Sequence, residues 1–385
     1  MNIAFLSNTD SSLYLFRLPV MQALLEKGHT IYAICPKGDK NQALRDGGFI
    51  VVNYEMSRKS LNPFRELKTI KSIYGAIKDL KLDLLHTFTV KPNIYGTFAA
   101  KYAKIPVILN LIEGLGSFYA SNSIKNMVVR IAIEKLYKIV FKLSNGCIFV
   151  NSDDPQYLID KKIIPQSRAS VIKSVGIDTE LFNMENFTKE RLEEIKEKNG
   201  LKNKVVVFMA ARAIWDKGIR EFYEACEIVR AKYPHVEFVF VGDIDSGNHT
   251  CANREFLQGG SVKWLGHRDD MLELTAISDI YVLPSFYKEG IPRTLLEAAS
   301  MSKPIVTTDT VGCKEVVDDG ENGFLVPIKD ARSLADKIEI LVNDKELMDK
   351  MGQKSRKKAL KEFELKKVVK QYLELYEKML PKDKK

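Results

Sequence analysis

Cysteine is scarce in this sequence, and no two cysteines stand at the spacing of a metal or redox motif. The five cysteines are odd in number and widely scattered, at positions 35, 147, 226, 251 and 313. This spacing fits neither a disulfide framework nor a zinc site. The sequence also lacks an apolar run of the roughly 18 to 20 residues that cross a bilayer. Its first residues lack the features of a secretory signal, so we expect a protein that stays in the cytoplasm.

Acidic residues are under-represented in the first half of the chain. Residues 1–180 contain 24 Lys and Arg against 15 Asp and Glu, whereas the other residues contain 35 of each, so the net charge of +9 lies in the first half. Such an excess suits an anionic membrane, a lipid diphosphate or a nucleic acid. No basic and aromatic motif for nucleic-acid binding is recognisable, which disfavours the last of these partners.

Short apolar runs alternate with helical patterns along the chain, which has 385 residues and suits two domains. Strands are predicted over residues 2–7, 30–35, 50–54, 84–87, 107–110, 147–151, 169–174, 205–210, 236–241, 261–265, 280–283, 304–307 and 324–326. This alternation predicts parallel sheets with helices on both faces. We therefore expect an α/β protein with two doubly wound domains, residues 1–182 and 183–364.

A strand, a polar loop and a helix start follow one another around residues 280–299. The start of a helix presents backbone N–H groups and the positive end of its dipole, which suits the diphosphate of a nucleotide. Glu289 in the loop and Glu297 in the helix are eight positions apart, and their carboxylates can accept hydrogen bonds from separate sugar hydroxyls. An ordinary surface loop with acidic residues is the plainer interpretation for either glutamate taken alone.

The stretch at 284–298, PSFYKEGIPRTLLEA, resembles the Glu-x7-Glu donor-binding signature of the family 4 retaining glycosyltransferases, which have the two-domain GT-B fold. The resemblance implies a catalytic role for Glu289. It implies donor contacts from Gly290, Ile291, Pro292, Thr294, Leu295 and Glu297. It also implies that a last helix, about 365–380, packs back on the first domain, and that two domains face each other across a cleft.

A basic pair follows the predicted strand 205–210. Arg212 and Lys217 lie five positions apart on a strand-to-helix turn, where they can neutralise the diphosphate as the sugar bond breaks. The pair resembles the Arg-x4-Lys of the family, which implies a catalytic role.

His267 follows the strand 261–265, in a stretch that resembles the loop that holds the nucleobase. Apart from the short match at 243–245, nothing resembles an Asp-x-Asp metal motif, so we expect no metal and no other cofactor.

Five residues of the first half are candidate ligands. Glu113 and Gly116 lie in a glycine-containing loop after the strand 107–110, where the backbone can approach a sugar closely and the carboxylate has no evident structural partner. Arg17 could hold an acceptor diphosphate, and a solvated helix arginine is an equally good interpretation. His86 and Lys91 are candidates for contact with the acceptor or a phosphate, although a lone histidine is more often structural.

Two helical stretches, 62–80 and 123–145, combine apolar and basic residues. In the second, Lys135, Lys138 and Lys142 form a basic stripe on a helix with little other polar surface. A helix in the plane of the lipid interface explains this composition. For the first stretch, a helix packed on the sheet with solvated lysines explains the pattern equally well.

Further resemblance narrows the substrates. Residues 57–64, 113–119 and 172–177 are similar to N-acetylgalactosaminyltransferases of bacterial N-linked protein glycosylation. This implies transfer from UDP-N-acetylgalactosamine to undecaprenyl-diphosphate-linked N,N′-diacetylbacillosamine by a peripheral enzyme at the cytoplasmic face of the bacterial inner membrane, without a nucleic-acid partner. Residues 293–296 also resemble capsule and O-antigen transferases, so another UDP-sugar or lipid-linked acceptor remains open. A UDP-sugar epimerase of the same fold is a further alternative.

Pro292 stands where many members of the family have glycine. Proline removes a backbone N–H and fixes φ near −65°. An equatorial 4-hydroxyl directed at the lost N–H would be left unpaired, which costs about 1 to 3 kcal/mol. The sequence therefore predicts a preference for UDP-N-acetylgalactosamine over UDP-N-acetylglucosamine.

Overall fold

The computed structural model describes residues 1–57, 62–116, 119, 123–173, 175–245, 247, 248, 250–288 and 290–380. It forms two compact units, unit 1 from Met1–Val175 with Lys366–Lys385 and unit 2 from Gly176–Leu365. The predicted boundary after Phe182 is therefore too late. Ile177 and Phe182 are buried in the apolar core of unit 2, which places the boundary after Val175.

Unit 1 is built on a parallel sheet that has seven strands among the described residues. The strands are β1 Asn2–Leu6, β2 Thr30–Cys35, β3 Ile50–Asn53, β4 Leu84–Phe88, β5 Val107–Ile112, β6 Gly146–Phe149 and β7 Ala169–Val171. Their order in the sheet is β3-β2-β1-β4-β5-β6-β7, and each neighbouring pair is parallel. The order reverses direction between β1 and β4, which is where doubly wound sheets bind ligands at the carboxyl ends of their strands.

Helices connect these strands and bury one face each against the sheet. They are α1 Asp10–Phe16, α2 Leu18–Glu26, α3 Asn41–Asp46, α4 Pro63–Ile77, α5 Thr97–Tyr102, α6 Ile124–Leu143 and α7 Asp153–Asp160. The start of α4 is well specified by sequence, because the Asn62 side chain accepts a hydrogen bond from the Phe64 backbone N–H and proline follows at the first helical position.

Unit 2 contains a second parallel sheet, with the order β10-β9-β8-β11-β12-β13 among the described residues. Its strands are β8 Val205–Ala210, β9 Val236–Val241, β10 Lys263–Trp264, β11 Ile280–Leu283, β12 Ile305–Thr308 and β13 Gly323–Val326. Its helices are α8 Lys189–Lys198, α9 Ile219–Lys232, α10 Arg254–Gly259, α11 Met271–Ala276, α12 Arg293–Ser300, α13 Ala331–Asn343 and α14 Lys345–Lys358. The two central strands, β8 and β11, carry the loops that hold the basic pair and the motif at 284–298.

The last helix, α15 Leu365–Met379, lies in unit 1 apart from its first residue. Val368, Tyr372 and Tyr376 recur at helical spacing and are buried in the same apolar cluster as Ile3 and Phe5 of β1. The end of the chain therefore supplies part of the core beneath the first sheet.

The predicted fold class is confirmed, since each predicted strand is present and both sheets are parallel with helices around them. The main differences are at strand ends. The strand predicted at 169–174 ends at Val171, and the one predicted at 261–265 is reduced to Lys263–Trp264. Within the described part of the chain, none of the helices combines the length and the apolar character needed to cross a bilayer.

Candidate functional site

The loops that follow β8, β9 and β11 lie at one edge of the unit 2 sheet, because these strands are parallel neighbours. Backbone contacts join the first loop to the third. The Asp216 carbonyl accepts hydrogen bonds from the N–H groups of Phe286 (2.9 Å) and Tyr287 (3.0 Å). Gly218 has a φ of 77°, and a Cβ atom there would lie 2.1 Å from the Pro284 carbonyl oxygen. Glycine at this position thus allows the two loops to touch.

Arg212 and Lys217, the predicted diphosphate ligands, lie in this contact region and share one aromatic neighbour. The Arg212 guanidinium carbon is 6.0 Å and the Lys217 ammonium nitrogen 5.6 Å from the centroid of the Tyr287 ring. Lys217 is buried, whereas half of the Arg212 side chain is exposed and its Nη1 lies 2.9 Å from Asp245 Oδ2. The structure thus places both cations beside the same ring, and an arriving phosphate could exchange places with the Asp245 carboxylate at Arg212.

Helix α12 begins at the same edge, directly after Pro292. Pro292 has a φ of −63°, as its ring dictates, and its own side chain makes no capping hydrogen bond to the first turn of the helix. One turn further on, Glu297 is buried and its Oε1 accepts a hydrogen bond of 3.1 Å from Arg293 Nε. Burial raises the pKa of Glu297 to about 6, although Arg293 opposes the shift. The carboxyl group is therefore ionised at neutral pH and can accept hydrogen bonds from hydroxyls.

The remaining predicted donor residues of this motif differ in solvent exposure. Gly290 is half-buried, and the half-buried Thr294 hydrogen bonds to Tyr281, whose hydroxyl lies 3.5 Å from the Ala210 carbonyl at the end of β8. Ile291 and Leu295 are buried in the apolar core. Their side chains fix α12 on the sheet, and a donor contact through the backbone of either residue stays a prediction. Glu289 lies outside the described residues.

His267 follows β10 at the same edge of the sheet. Its ring is mostly exposed, with Nδ1 3.3 Å from Asp243 Oδ2 and Nε2 3.3 Å from Asp269 Oδ1. Asp243 follows β9, and the Gly242 N–H donates to the Gly266 carbonyl at 2.9 Å. His267 is thus available for contact with a base or ribose, and this role stays a prediction.

In unit 1, Arg17 and Glu113 form an ion pair. Arg17 is 2% exposed and its guanidinium carbon lies 4.6 Å from the centroid of the Phe88 ring, whereas Glu113 is 34% exposed. The guanidinium also lies beside Tyr372 of α15. The structure therefore places Arg17 in a buried aromatic setting in which it orients the Glu113 carboxylate, which excludes the solvated helix face that was one of its two interpretations. The other interpretation, contact with an acceptor diphosphate, stays a prediction.

His86 lies inside β4 and is completely buried. Its Nδ1 is 2.7 Å from the hydroxyl of Tyr376, and the Phe88 ring lies 4.3 Å away between centroids. Burial and the nearby Arg17 lower the pKa of His86 well below its usual range, so the ring is neutral. The residue thus belongs to the core of unit 1, its Nε2 has no hydrogen-bond partner among the described residues, and a contact with the acceptor stays a prediction.

Lys91 and Gly116 are the other two candidates in unit 1. The Lys91 ammonium group donates to Glu66 of α4 at 2.9 Å and to the Ser57 carbonyl at 2.8 Å. It thereby joins the segment after β4 to α4, and a phosphate contact stays a prediction. Gly116 has a φ of 82°, a conformation that glycine adopts readily, and a Cβ atom there would meet no described atom within 4 Å.

Helix α6 presents an exposed face that is both apolar and basic. Lys135, Lys138 and Lys142 are exposed, as predicted for the basic stripe. The same face exposes large apolar side chains, namely Ile124, Met127, Val128, Ile131, Leu136 and Ile139. The opposite face buries Tyr137, Val140 and Phe141 in an apolar cluster. Helix α4 also exposes Phe64 and Leu67 while it buries Ile73 and Ile77.

Two groups of site residues were not foreseen from the sequence. Tyr287 is inside the recognised motif, but its contact with both cations depends on the folded loop. Tyr372 and Tyr376 reach Arg17 and His86 from the end of the chain. The recurrence of Val368, Tyr372 and Tyr376 at helical spacing was the available signal, although it identifies only a buried helix face. Within the described residues, no cluster of three His, Cys, Asp or Glu side chains could hold a metal ion.

Comparison with known proteins agrees with this arrangement. Residues 2–152 match the family model "Glycosyl transferase 4-like", and residues 191–358 match "Glycosyl transferases group 1". The chain is 38% identical over 380 residues to the N,N'-diacetylbacillosaminyl-diphospho-undecaprenol alpha-1,3-N-acetylgalactosaminyltransferase of Campylobacter jejuni, with 99% of each chain covered. It is 27% identical to the UDP-Gal:alpha-D-GlcNAc-diphosphoundecaprenol alpha-1,3-galactosyltransferase of Escherichia coli, over 83% of this chain and 81% of that one.

Solved structures show the same fold. A glycosyltransferase from Rickettsia africae ESF-5 gives a TM-score of 0.80 at 24% identity, covering 98% of both chains. Anabaena HepE in complex with UDP and glucose gives a TM-score of 0.79 at 20% identity, covering 98% of this chain and all of that one. Because one relative is similar along the whole chain at 38% identity, the family is established. The protein belongs to the family 4 glycosyltransferases and has the GT-B fold, as its sequence motifs predicted.

Proposed function

We propose that the protein transfers N-acetylgalactosamine, with retention of configuration, from UDP-N-acetylgalactosamine to undecaprenyl-diphosphate-linked N,N′-diacetylbacillosamine. The observation that carries this proposal is the 38% identity to the Campylobacter jejuni transferase along 99% of each chain. Relatives at lower identity include the Escherichia coli enzyme, whose name also specifies an undecaprenyl-diphosphate-linked acceptor. A lipid-linked acceptor is therefore supported by more than one relative.

The geometry of unit 2 supports a role in donor binding. Arg212 and Lys217 both lie beside the Tyr287 ring and supply two positive charges for the diphosphate. The N-terminal end of α12 adds backbone N–H groups and the positive end of a helix dipole. Glu297 accepts hydrogen bonds from hydroxyls of the nucleotide sugar, and Glu289 acts at the transferred sugar.

Charge neutralisation by side chains also supports transfer without a metal ion. As the bond between the sugar and the β-phosphate breaks, negative charge develops on the phosphate oxygen that Arg212 and Lys217 contact. In front-face transfer this oxygen takes the proton of the acceptor hydroxyl while the hydroxyl oxygen bonds to the anomeric carbon on the face that UDP leaves. Activity should therefore persist after extensive treatment with EDTA.

Pro292 is the candidate for donor selectivity. It is buried at the N-terminal end of α12, where a glycine would offer an N–H group that proline lacks. We expect Pro292→Gly to reduce the preference for UDP-N-acetylgalactosamine over UDP-N-acetylglucosamine, measured as the ratio of kcat/KM for the two donors. An unchanged ratio would assign the discrimination to other residues.

Contact with an anionic membrane belongs to the same proposal, because the acceptor is a lipid. The exposed face of α6 combines Lys135, Lys138 and Lys142 with large apolar side chains, which suits a helix lying in the lipid interface. The charge excess of residues 1–180 favours the anionic cytoplasmic leaflet. The protein then acts as a peripheral enzyme at the cytoplasmic face of the bacterial inner membrane.

The test is mass spectrometry of the products from several UDP-sugars combined with several undecaprenyl-diphosphate-linked sugars. The proposal predicts one added N-acetylhexosamine with UDP-N-acetylgalactosamine and the diacetylbacillosamine acceptor, at much higher kcat/KM than with any other pair. A different preferred pair would assign the protein to capsule or O-antigen synthesis. Isomerisation of a UDP-sugar without any acceptor would identify an epimerase instead.

A further inference from the structure

A basic pocket of about 600 Å³ lies in unit 1, where the C-terminal end of α6 meets α7 and the segment that leads into β7. Four cationic side chains line it, from Lys138 and Lys142 of α6, Lys162 after α7, and Arg168 before β7. Its other walls include Phe141, Ile159, Ile163, Ile164, Pro165 and Ser167. The pocket therefore combines an apolar floor with several positive charges, and no carboxylate contributes to its lining.

The positive charges that line the pocket are largely uncompensated by described side chains. Within the described ranges, the ammonium groups of Lys138, Lys142 and Lys162 make no ion pair or hydrogen bond. Arg168 uses its Nη1 to bond the carbonyls of Phe141 (2.6 Å) and Ser144 (3.2 Å) at the end of α6. The same Nη1 also lies 3.2 Å from the Lys142 carbonyl, and the other guanidinium nitrogens make no hydrogen bond or ion pair within the same ranges. Four positive charges thus surround a space in which no anion compensates them.

Basic residues at helix ends have a simple explanation, since the C-terminal end of a helix carries a partial negative charge of about one half. Both α6 and α7 end near the pocket, so this effect favours some positive charge there. The two helix ends together carry about one negative charge. Arg168, which donates to the carbonyls at the end of α6, already supplies one positive charge. The three lysines exceed what the two helix ends require.

The position of the pocket separates it from the predicted reaction site. Lys142 precedes β6 and Arg168 precedes β7, so the pocket lies at the amino ends of the parallel strands. Glu113 follows β5 and lies at the opposite edge of the same sheet. A diphosphate that presents an acceptor sugar to Glu113 would not reach this pocket. The pocket does adjoin the exposed face of α6, since Lys138 and Lys142 belong to both.

We propose that this pocket binds the phosphate of an anionic phospholipid headgroup, such as that of phosphatidylglycerol, with the glycerol and first acyl carbons on the apolar floor. This inference rests on the proposed membrane contact of α6 and gives it a defined lipid site. Cationic side chains recognise the phosphate oxygens, and Phe141, Ile159 and Ile163 contact the apolar part. A zwitterionic headgroup is disfavoured because its own cation would face the lysines.

Lys162 provides the test variant, because it lines the pocket and has no place in the proposed donor or acceptor machinery. Its neighbour Lys161 is the matched control, since it pairs with Glu134 at 3.1 Å and does not line the pocket. The probes are dihexanoyl-phosphatidylglycerol below its micelle concentration, the matching phosphatidylcholine, inorganic phosphate and farnesyl diphosphate. Binding to the full chain is measured by calorimetry, and folding of each variant by thermal unfolding.

The proposal predicts that dihexanoyl-phosphatidylglycerol binds and that Lys162→Gln raises its Kd about fivefold, with less than a twofold effect of Lys161→Gln. Inorganic phosphate and the phosphatidylcholine should bind at least about tenfold more weakly, because each lacks one of the recognised features. If Lys162→Gln and Lys161→Gln raised the Kd equally, the pocket would not be the lipid site. The same conclusion would follow if inorganic phosphate bound as tightly as dihexanoyl-phosphatidylglycerol. Tighter binding of farnesyl diphosphate at Lys162 would reassign the pocket to the polyprenyl acceptor.

A second pair of variants adds a negative charge and removes no lysine. Ser167→Glu places a carboxylate in the pocket, whereas the neighbouring Gln166→Glu places the same group on the exposed surface outside it. Only Ser167→Glu should abolish phosphatidylglycerol binding.

Transfer to a detergent-solubilised acceptor should be unchanged in Lys162→Gln. Absence of transfer in the wild type would refute the proposed function alone, and equal lipid binding by Ser167→Glu and Gln166→Glu would refute the pocket alone.

Discussion

Arg17 and Glu113 form an ion pair in unit 1 that joins the end of α1 to the loop after β5. The two residues differ in their surroundings, because Arg17 is almost completely buried and Glu113 keeps about a third of its surface exposed. Phe88 stacks under the guanidinium, and Tyr372 lies beside it. The buried Arg17 guanidinium therefore holds the partly exposed Glu113 carboxylate in one orientation.

The first prediction concerns the strength of this pair. A double-mutant cycle with Arg17→Met and Glu113→Gln should give a coupling energy of about 1 to 2 kcal/mol, less than for a fully buried pair because solvent reaches Glu113. Urea unfolding of the wild type and the three variants measures it. A coupling energy within about 0.5 kcal/mol of zero would mean that the two residues act independently.

The second prediction concerns Glu297 and pH. Burial raises its pKa from 4.5 to about 6 in the folded protein, so the folded state binds the proton more tightly than the unfolded state does. Its contribution to stability is therefore fully present below about pH 4.5 and lost as the pH rises through about 6. At pH 7 the ionised group costs about 2 kcal/mol relative to a neutral one.

Glu297→Gln should accordingly raise the free energy of unfolding at pH 7, with the difference from wild type shrinking as the pH falls from 7 to 4.5. Glu193→Gln on the exposed surface of α8 is the matched control and should change the free energy of unfolding at pH 7 by no more than about 0.5 kcal/mol. The measurement is urea unfolding across this pH range. If the difference in the free energy of unfolding between Glu297→Gln and wild type did not change with pH, burial would not raise the pKa of Glu297. Weaker binding of UDP-sugar by the same variant is expected, because an amide oxygen accepts hydrogen bonds from sugar hydroxyls less strongly than a carboxylate does.

The third prediction concerns the membrane. Replacing Lys135, Lys138 and Lys142 together by glutamine should weaken binding to vesicles with anionic lipid by roughly 100-fold, at about 1 kcal/mol for each charge near the surface. The matched control replaces three other exposed lysines of unit 1, at positions 37, 101 and 104. Binding is measured by vesicle sedimentation at several salt concentrations. Equal losses in both triple variants would show that α6 has no special part in the contact.

The fourth prediction concerns the leaving group. Arg212→Ala and Lys217→Ala should each lower kcat by roughly 10²-fold, because each removes a charge that stabilises the departing diphosphate. Lys202→Ala, on the exposed surface of unit 2, should leave kcat unchanged. Steady-state transfer assays at saturating donor make the comparison. Near-normal kcat in both site variants would remove the pair from the catalytic machinery.

The sequence predicted the sheets and the donor motif because both depend on local patterns. Apolar runs such as 205–210 and 236–241 match their strands residue for residue, and glycine and proline mark the loop before α12. The fate of polar residues was harder to predict. His86 pairs with Tyr376, which lies 290 residues later in the chain, and Arg17 pairs with Glu113 across 96 residues. Such partners come together only through tertiary packing, so a short apolar strand that contains one histidine does not indicate what that histidine contacts.

Leu295 illustrates the same limit within a motif. Its place beside Thr294 and Glu297 suggested donor contact, but helical periodicity turns its side chain into the core. The family signature therefore contains residues that fix the helix as well as candidate ligands of the donor. Only the structure separates the two groups.

The most direct test of the central claim, retaining transfer of N-acetylgalactosamine from UDP-N-acetylgalactosamine, is the anomeric configuration of the product. The enzyme is incubated with this donor and undecaprenyl-diphosphate-linked N,N′-diacetylbacillosamine, and the released disaccharide is studied by proton NMR. The account predicts a single new α-linked N-acetylgalactosamine, as in the donor. A β-linked product would contradict it, because the acceptor would then have attacked from the face opposite the diphosphate that Arg212 and Lys217 hold.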